Sequence, residues 1–332
     1  MRETEEGEDA MVYLVTGCAG FIGWRVSEFL LKENYTVVGV DELNNAYDPM
    51  LKEWRLTTLK TYPNFKFYQL DLANISVLRP LFEEWKFSAV IHLAARAGVR
   101  QSVENPWVYV SSNITGTLNL LHLMKDYEIK KMVLASTSSL YAGQKPPYHE
   151  ELKVDRPLSP YAATKKASEL LAYTYHHLYD LDITVLRYFT VYGPAGRPDM
   201  SIFRFIKWML EDKPIEIYGD GSQARDFTYI DDIAQGTILG LKPLGYEIIN
   251  LGGGKNPISI NEVLDILEEY LGKKAKRVYL SFHKADMKIT WAEISKAKEL
   301  LGWEPKIDLR EGLKRTVEWA LQNIDLVKKI KV

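Results

Sequence analysis

Short runs of β-branched and aliphatic residues alternate with longer amphipathic stretches across residues 11–190 of this 332-residue chain. The runs read VYLVT, TVVGVD, FKFYQLD, AVIHLA, KMVLAS and ITVLRY. They are almost continuously apolar, as in strands that helices cover on both faces. The alternation therefore predicts an α/β fold with a Rossmann-type, doubly wound parallel sheet.

A glycine-rich loop, TGCAGFIG, follows the first run and precedes the helical pattern WRVSEFLLKEN. Gly17, Gly20 and Gly23 at this junction would let backbone N–H groups and the helix N-terminus approach a pyrophosphate. The alternative is a tight strand-to-helix turn without a ligand. The predicted dinucleotide site also includes residues beside the loop or at the ends of neighbouring strands, namely Phe21, Ile22, Asp71, Leu72, Leu93, Ala94 and Ala95.

Asp41 closes the second run and follows Gly17 by 24 residues. A carboxylate about 20 residues after the first glycine typically binds the adenosine ribose hydroxyls. Glu42 adds a second negative charge that would repel a 2′-phosphate, so the sequence favours NAD over NADP. Asp41 could instead be a turn residue, and Asp71 could be a helix cap rather than an adenine contact.

The pattern Tyr-x-x-x-Lys occurs at five tyrosines, of which one lies in an uninterrupted helical pattern. That tyrosine is Tyr161, which has Ser159 as its predicted N-cap, Pro160 at the first helical position and Lys165 one turn later. An ammonium on the same helix face stabilises a phenolate, as a tyrosine base requires. Proline, glycine or a helix end interrupts the pattern at the others, Tyr62, Tyr127, Tyr141 and Tyr270. The two residues could also be ordinary exposed helix residues.

A hydroxyl cluster, Ser136 to Ser139, ends the run KMVLAS. The carboxyl edge of a parallel sheet is where ligands usually bind, so one of these hydroxyls could bridge the tyrosine oxygen and a reacting alcohol. Small polar residues that merely end a strand are the alternative.

Together TGCAGFIG, Asp41, VIHLAARAGV, ASTSSLY, YAATK and RDFTYIDD resemble the extended short-chain dehydrogenase family of nucleotide-sugar enzymes, over almost the whole chain after residue 10. The stretches NNAYDPMLKEWRL, AARAGVRQSVENP and RYFTVYGPAGRPDM resemble the branch of UDP-glucuronate 4-epimerases. The resemblance implies an NAD-dependent isomerase that inverts C4 of a UDP-sugar through a 4-keto intermediate. The product from UDP-glucuronate would be UDP-galacturonate.

The resemblance also implies the roles of individual residues. Thr137, Tyr161 and Lys165 would be catalytic, and Tyr161 and Lys165 would also contact NAD. The implied substrate-binding residues are Arg100, Asn113, Ser138, Ser139, Thr190, Arg197, Arg225 and Asp286. An arginine fork with hydroxyl donors suits a sugar carboxylate, although Arg197 could be a solvated loop residue and Arg225 part of an ion pair.

Some residues depart from related enzymes. Sugar dehydratases carry an acid and a base where this chain has Ser138 and Ser139, so elimination is not expected. The segment with His283 and Asp286 differs from the usual ribose-binding sequence, which leaves the uridine contacts open. The remaining alternatives are a UDP-glucose or UDP-N-acetylglucosamine 4-epimerase, a net oxidoreductase and a noncatalytic NAD-binding sensor.

The domain organisation follows the change of pattern after residue 190. We predict an NAD-binding Rossmann domain at 11–190 that the chain rejoins near 227–250. A smaller C-terminal α/β lobe that binds the UDP-sugar would comprise 191–226 and 251–332. Residues 1–10 are acidic and polar, and are predicted to be a flexible extension.

The composition limits the partners. A formal net charge of -2 gives no reason to expect nucleic acid, and no apolar run is long enough to span a membrane. The single cysteine excludes an internal disulfide, and a cytoplasmic location follows as the expectation. No metal site is predicted, and the family resemblance implies a homodimer.

Overall fold

The computed structural model describes residues 11–255, 257–281 and 287–332. The predicted extension at 1–10 and the predicted substrate residue Asp286 lie outside these ranges. Within them, the strands are β1 (Val12–Thr16), β2 (Thr36–Asp41), β3 (Phe65–Gln69), β4 (Ala89–His92), β5 (Lys131–Thr137), β6 (Asp182–Tyr188), β7 (Thr190–Tyr192), β8 (Pro214–Tyr218), β9 (Ala224–Arg225), β10 (Phe227–Tyr229), β11 (Tyr246–Leu251), β12 (Ile258–Ser259) and β13 (Lys276–Leu280).

The α-helices in the same ranges are α1 (Phe21–Lys32), α2 (Met50–Leu59), α3 (Ile75–Glu84), α4 (Val99–Glu104), α5 (Pro106–Tyr109), α6 (Gly116–Asp126), α7 (Pro160–Tyr179), α8 (Ser201–Leu210), α9 (Ile230–Leu239), α10 (Ile260–Leu271), α11 (Ser295–Leu301), α12 (Leu309–Gln322) and α13 (Ile324–Lys329). A π-helical turn, Val110–Thr115, joins α5 to α6, and a 3-10 turn, Ser138–Tyr141, follows β5.

The central sheet has the strand order β11-β6-β5-β4-β1-β2-β3, and the pairs along it are parallel. The order reverses at β1, because β2 lies on one side of this strand and β4 on the other. A crevice forms at the carboxyl end of such a switch point, which is where ligands bind in open α/β sheets. The predicted Rossmann-type fold class is therefore confirmed.

The strands bury side chains on both faces of the sheet, as their continuous hydrophobicity indicates. On β1, Leu14 faces the core that α3, α6 and α7 cover, whereas Val15 faces the core on the side of α1 and α2. Val90 and Ile91 on β4 divide between the same two cores. Helices on both faces thus complete a doubly wound architecture.

The C-terminal part adds short pairs of strands at the carboxyl edge of the sheet. β8 pairs in parallel with β13, β7 pairs in parallel with β10, and β9 pairs antiparallel with β12. β11 belongs to the edge of the central sheet, where the chain was expected to rejoin the first domain. The division into domains at particular residues stays a prediction. Among the described helices, none has the length and apolarity needed to cross a membrane.

Candidate active site

A cavity of about 630 Å³ opens at the carboxyl edge of the central sheet. We call its two sides the glycine-loop half and the arginine half. The glycine-loop half is lined by Gly17, Gly20, Phe21, Ile22, Gly23, Asp41, Asp71, Leu72, Leu93, Ala94 and Ala95. The arginine half is lined by Arg100, Arg197, Arg204 and Arg225. Thr137, Ser138, Ser139, Tyr161, Lys165 and Thr190 line the cavity as well.

Backbone packing fixes the glycine loop. Gly17 has φ +71°, and a Cβ on this residue would lie 2.7 Å from the backbone nitrogen of Ala94. A Cβ on Gly23 would overlap the carbonyl oxygen of Gly17. Gly20 is the N-cap of α1 and has no side chain to bond the first N–H groups of the helix. The loop therefore leaves N–H groups and a positive helix end for the pyrophosphate of a dinucleotide.

Asp41 connects the glycine loop to the end of β2. Its Oδ2 accepts a hydrogen bond from the backbone N–H of Ala19 at 3.1 Å, and its Oδ1 accepts one from Leu43 at 2.9 Å. A carboxylate has about four lone-pair sites, so acceptor capacity remains for ribose hydroxyls. Backbone donors, a helix N-terminus and this carboxylate fit the pyrophosphate and adenosine ribose of NAD.

Asp71 also lines the glycine-loop half. It accepts a hydrogen bond from the backbone N–H of Ala73 at 2.9 Å. The N-cap of α3 is Asn74, whose side chain accepts from Ser76, so the alternative of Asp71 as the helix cap is wrong. Its predicted contact with adenine stays a prediction.

The boundary between the two halves carries the predicted reactive groups. Thr137 ends β5, and α7 begins as predicted, with the Ser159 side chain accepting from Ala162 and Pro160 in the first turn. Burial raises the pKa of the Tyr161 phenol above its ordinary value. A hydrogen bond with Thr137 and the positive charge of Arg197 act in the opposite direction. Arg197 is thus a cation that favours the phenolate.

Lys165 lies one helical turn from Tyr161 and is 5% exposed. Burial lowers its pKa to about 8, and the charge of Glu169 opposes that decrease. Its Nζ donates to the carbonyl oxygen of Ala135 at 2.9 Å. This anchor holds the ammonium at the end of β5, whereas the expected effect of Lys165 on the pKa of Tyr161 stays a prediction.

A buried ion pair holds α7 against the sheet behind the reactive groups. Arg187 on β6 donates from Nε and Nη2 to the two carboxylate oxygens of Glu169, at 2.9 and 2.8 Å. Both side chains are 1% exposed. Ser136 donates to the same carboxylate at 2.6 Å. The pair therefore fixes the helix that carries Tyr161 relative to the strand that carries Thr137.

The arginine half gathers charged side chains from distant segments. The Arg100 guanidinium lies 4.2 Å from the ring centre of Tyr218. Arg225 lies on β9 and donates to the carbonyl oxygen of Ala224 at 2.9 Å. Arg204 on α8 stacks over the ring of Trp208 at 4.4 Å. Such a concentration of guanidinium groups suits an anionic ligand such as a diphosphate.

Arg197 lies between β7 and α8, on the wall of the arginine half nearest Tyr161. It makes a fork-shaped ion pair with Asp199, with N···O distances of 3.0 and 2.6 Å. The ring of Tyr47 lies 5.7 Å from its guanidinium carbon. Arg55 joins this region to the glycine loop, because it donates to the carbonyl oxygens of both Ala19 and Ala195.

Asn113 lies behind the cavity wall rather than on it. Its Oδ1 accepts from the backbone N–H of Arg96 at 2.8 Å, and its Nδ2 donates to the Arg96 carbonyl and to Thr164 Oγ1, both at 3.0 Å. These bonds join the loop after β4 to α7 and use both N–H groups of the Asn113 amide. The structure thus does not bring Asn113 together with the other predicted substrate residues, and a direct contact stays a prediction.

Several cavity residues are not predicted from the sequence, among them Tyr47, Asp199 and Arg204. Tyr47 and Asp199 lie within the stretches that resemble the uronate branch, although neither was chosen individually. Arg204 interrupts the apolar pattern SIFRFIKWML of α8. A charged residue within the apolar face of a helix could have indicated a functional position. Its buried Nε finds no hydrogen-bond partner among the described residues.

The family model of the NAD dependent epimerase/dehydratase family matches residues 13–252. The chain belongs to this family. A UDP-glucuronate 4-epimerase of Thermodesulfobacterium geofontis is 74% identical over 96% of this chain and 99% of the relative. UDP-glucuronate 4-epimerase 1 of Arabidopsis thaliana is 44% identical over 93% of this chain and 76% of the relative.

Solved structures are similar as well. The UDP-glucuronic acid 4-epimerase of Bacillus cereus in complex with UDP-glucuronic acid and NAD has a TM-score of 0.88 and 41% identity, over 94% of this chain and all of that one. The UDP-glucose 4-epimerase of Thermotoga maritima with UDP-glucose has a TM-score of 0.87 and 34% identity, over 95% of this chain and all of that one. The predicted family and the predicted NAD cofactor are confirmed.

Proposed function

We propose that the chain is a UDP-glucuronate 4-epimerase, which interconverts UDP-glucuronate and UDP-galacturonate through a 4-keto sugar. The observation that carries the proposal is the position of Arg197 beside Tyr161, on a cavity wall that also presents Ser138, Ser139 and Thr190. The carboxylate of a hexuronate is attached to C5, next to the reacting C4. A guanidinium beside the group that reacts at C4 is therefore placed to bind it. The relatives that bear this name support the same function.

Tyr161 and Thr137 are the residues proposed to transfer the proton of the sugar 4-hydroxyl. Bound NAD supplies a hydride acceptor that returns the hydride, so the reaction has no net redox change. The Tyr161 phenolate would accept the proton of the 4-hydroxyl as C4 is oxidised and return it to the same oxygen when the keto group is reduced from the other face of C4. Thr137 hydrogen-bonds the phenol, and the Arg197 charge favours its ionised form.

The two halves of the cavity divide the binding. In the glycine-loop half, backbone N–H groups and Asp41 hold the dinucleotide, and Lys165 orients its nicotinamide ribose. In the arginine half, Arg225 and Arg100 hold the diphosphate of the substrate. The sugar turns about its diphosphate linkage between the two hydride transfers, so the site must bind UDP firmly and the sugar loosely.

The decisive experiment supplies the protein separately with UDP-glucuronate, UDP-glucose and UDP-N-acetylglucosamine and resolves the C4 epimers by chromatography. We expect UDP-galacturonate to form at equilibrium without accumulation of NADH. Conversion of UDP-glucose alone would contradict the substrate, and NADH in proportion to substrate would indicate a net oxidoreductase. No conversion of any substrate would favour the NAD-binding sensor.

A homodimer is part of the proposal. The outer face of α7 exposes Leu170, Tyr173 and Leu178, which are 57%, 54% and 58% exposed. They recur at a helical spacing, and α6 beside them exposes Leu118. A second copy of the chain that packs the same helices against this stripe would cover it by two-fold symmetry.

Light scattering coupled to size-exclusion chromatography tests this interface. The wild-type protein should elute at twice the 38.2 kDa chain mass, and Leu170→Glu should shift it to one chain mass. Leu321→Glu, at a 46% exposed site on α12, is the matched control and should remain dimeric. A wild-type protein of single-chain mass would disprove the dimer.

A further inference from the structure

Arg197 is already bound to a carboxylate in this structure. Its Nε and Nη2 face the two oxygens of Asp199, which is the paired geometry that guanidinium groups adopt with carboxylates. Both side chains are 23% exposed and line the cavity. Asp199 therefore occupies one of the donor edges through which Arg197 could bind a sugar carboxylate.

Other contacts keep Arg197 in place while its carboxylate partner changes. The Tyr47 ring lies beside the guanidinium. Tyr47 is itself held by Arg55, which donates to its hydroxyl at 2.8 Å. Because Arg55 is fully buried and also binds Ala195, it ties Tyr47 to the loop that carries Arg197. The position of the Arg197 stem thus does not depend on Asp199 alone.

On the basis of the function proposed above, we propose that Asp199 is a specificity-determining and positioning residue that competes with the substrate carboxylate for Arg197. The sugar carboxylate displaces Asp199 when it binds and yields to Asp199 when the keto sugar turns. The half-buried guanidinium keeps a carboxylate partner throughout, so it is never left with an unpaired charge.

This exchange resolves a conflict in the reaction. An epimerase must recognise the carboxylate, yet the sugar must also turn over between the two hydride transfers. An arginine with no internal partner would hold the substrate and the intermediate in one orientation, and such ground-state binding lowers turnover. Asp199 weakens the hold on the carboxylate without removing the selectivity for a charged sugar.

The alternative role for Asp199 is to orient Arg197 for the substrate, and the two roles predict opposite changes in affinity. If Asp199 competes, Asp199→Asn removes a negative charge and tightens the binding of UDP-glucuronate. If Asp199 only orients the guanidinium, the same change weakens that binding. UDP-glucose has no carboxylate, so its affinity should hardly respond in either case.

The experiment measures affinity by calorimetry in a Tyr161→Phe background, where turnover is blocked, and kinetics in the enzyme with Tyr161. For Asp199→Asn we expect about tenfold tighter UDP-glucuronate binding, the size of about one charge-assisted hydrogen bond. The affinity for UDP-glucose should stay within about twofold, and kcat for UDP-glucuronate should fall about tenfold. Glu269→Gln, which removes an exposed ion pair with Arg310, is the matched control and should change none of these three values.

The outcomes separate this inference from the proposed function. If the wild-type protein does not epimerise UDP-glucuronate, the proposed function and this inference both fail. If it does, weaker or unchanged UDP-glucuronate binding in Asp199→Asn overturns the inference alone. Asp199→Ser is the second variant in case the asparagine protein does not fold, and it should tighten binding in the same direction.

Discussion

The glycine-loop half of the cavity contains a closely packed backbone loop and has no arginine among the residues assigned to it, whereas long charged side chains line the arginine half. Gly17 packs against the backbone of Ala94, and the wall there has no room for even a Cβ. Across the cavity, Arg197 and Asp199 form a partly exposed ion pair that can exchange its partners. A rigid half suits a cofactor that stays bound, and an adjustable half suits a sugar that must turn.

Two arginine forks sharpen the contrast, because they have the same geometry and different surroundings. Arg187 and Glu169 are fully buried and hold α7 to β6. Arg197 and Asp199 have similar N···O distances but face the cavity. A competing anion cannot reach the buried pair of Arg187 and Glu169, so its role is structural. The pair of Arg197 and Asp199 is open to such an anion from the cavity. Burial rather than hydrogen-bond geometry distinguishes the two roles.

The largest effect should come from Tyr161→Phe, at the boundary where the two halves meet. Loss of the phenol removes the proton acceptor, so kcat should fall about a thousandfold, while NAD and UDP still bind. Tyr279→Phe, at a half-exposed tyrosine outside the cavity, is the control and should keep full activity. Turnover of the Tyr161 variant within about tenfold of wild type would contradict its catalytic role.

Gly17→Ala should damage the rigid half next most strongly. The left-handed conformation costs a side chain about 1–2 kcal/mol, and the overlap with Ala94 adds about as much again. Gly272→Ala is a matched control, since Gly272 has φ +62° with no atom within 4 Å of the added Cβ among the described residues. Urea unfolding should show the larger loss at Gly17, together with weaker NAD binding. Equal losses in the two variants would mean that the glycine loop tolerates side chains.

Two buried groups, one near each half of the cavity, should make the stability of the chain respond to acid in opposite directions. Burial lowers the pKa of His92, under the glycine-loop half, to about 3, with a smaller contribution from Lys165. Between about pH 6.5 and 3 the unfolded chain binds a proton there that the folded chain lacks, so stability falls as the pH drops. At about 1.4 kcal/mol per pH unit, the loss between pH 6.5 and 5 is about 2 kcal/mol.

Asp226, beside the arginine half, should change the stability of the chain with pH in the opposite direction to His92. Burial raises its pKa to about 6 from 3.8, so the folded chain binds the extra proton in that window and gains stability as the pH falls. Urea unfolding at pH 7, 6 and 5 should therefore show less acid sensitivity in His92→Asn and more in Asp226→Asn than in wild type. Identical pH dependence in the three proteins would rule out both contributions.

The sequence predicted the rigid half better than the adjustable one, because local patterns determine it. The strand, the glycine loop and α1 are consecutive, and the Ser159 cap and Pro160 define the start of α7 within a few residues. The ion pair of Asp199 and the position of Arg204 depend on tertiary packing. Arg55 binds Ala195 across 140 residues, a contact that no local pattern indicates. Asn113 was predicted as a substrate residue from a family motif, which gives only its place in the sequence. In the structure, its amide is hydrogen-bonded to Arg96 and Thr164, and it is not among the residues that line the cavity.

The smallest effect, and the most specific to the adjustable half, should come from Arg197→Lys. An ammonium keeps the charge but loses the planar fork, so it binds a carboxylate less well and with less directional preference. We expect the ratio of kcat/KM for UDP-glucuronate to that for UDP-glucose to fall about tenfold. Arg225→Lys is the comparison, because a residue that holds the shared diphosphate should lower both values and leave their ratio unchanged. If Arg225→Lys changed the ratio and Arg197→Lys did not, recognition of the carboxylate would belong to β9 rather than to the loop before α8.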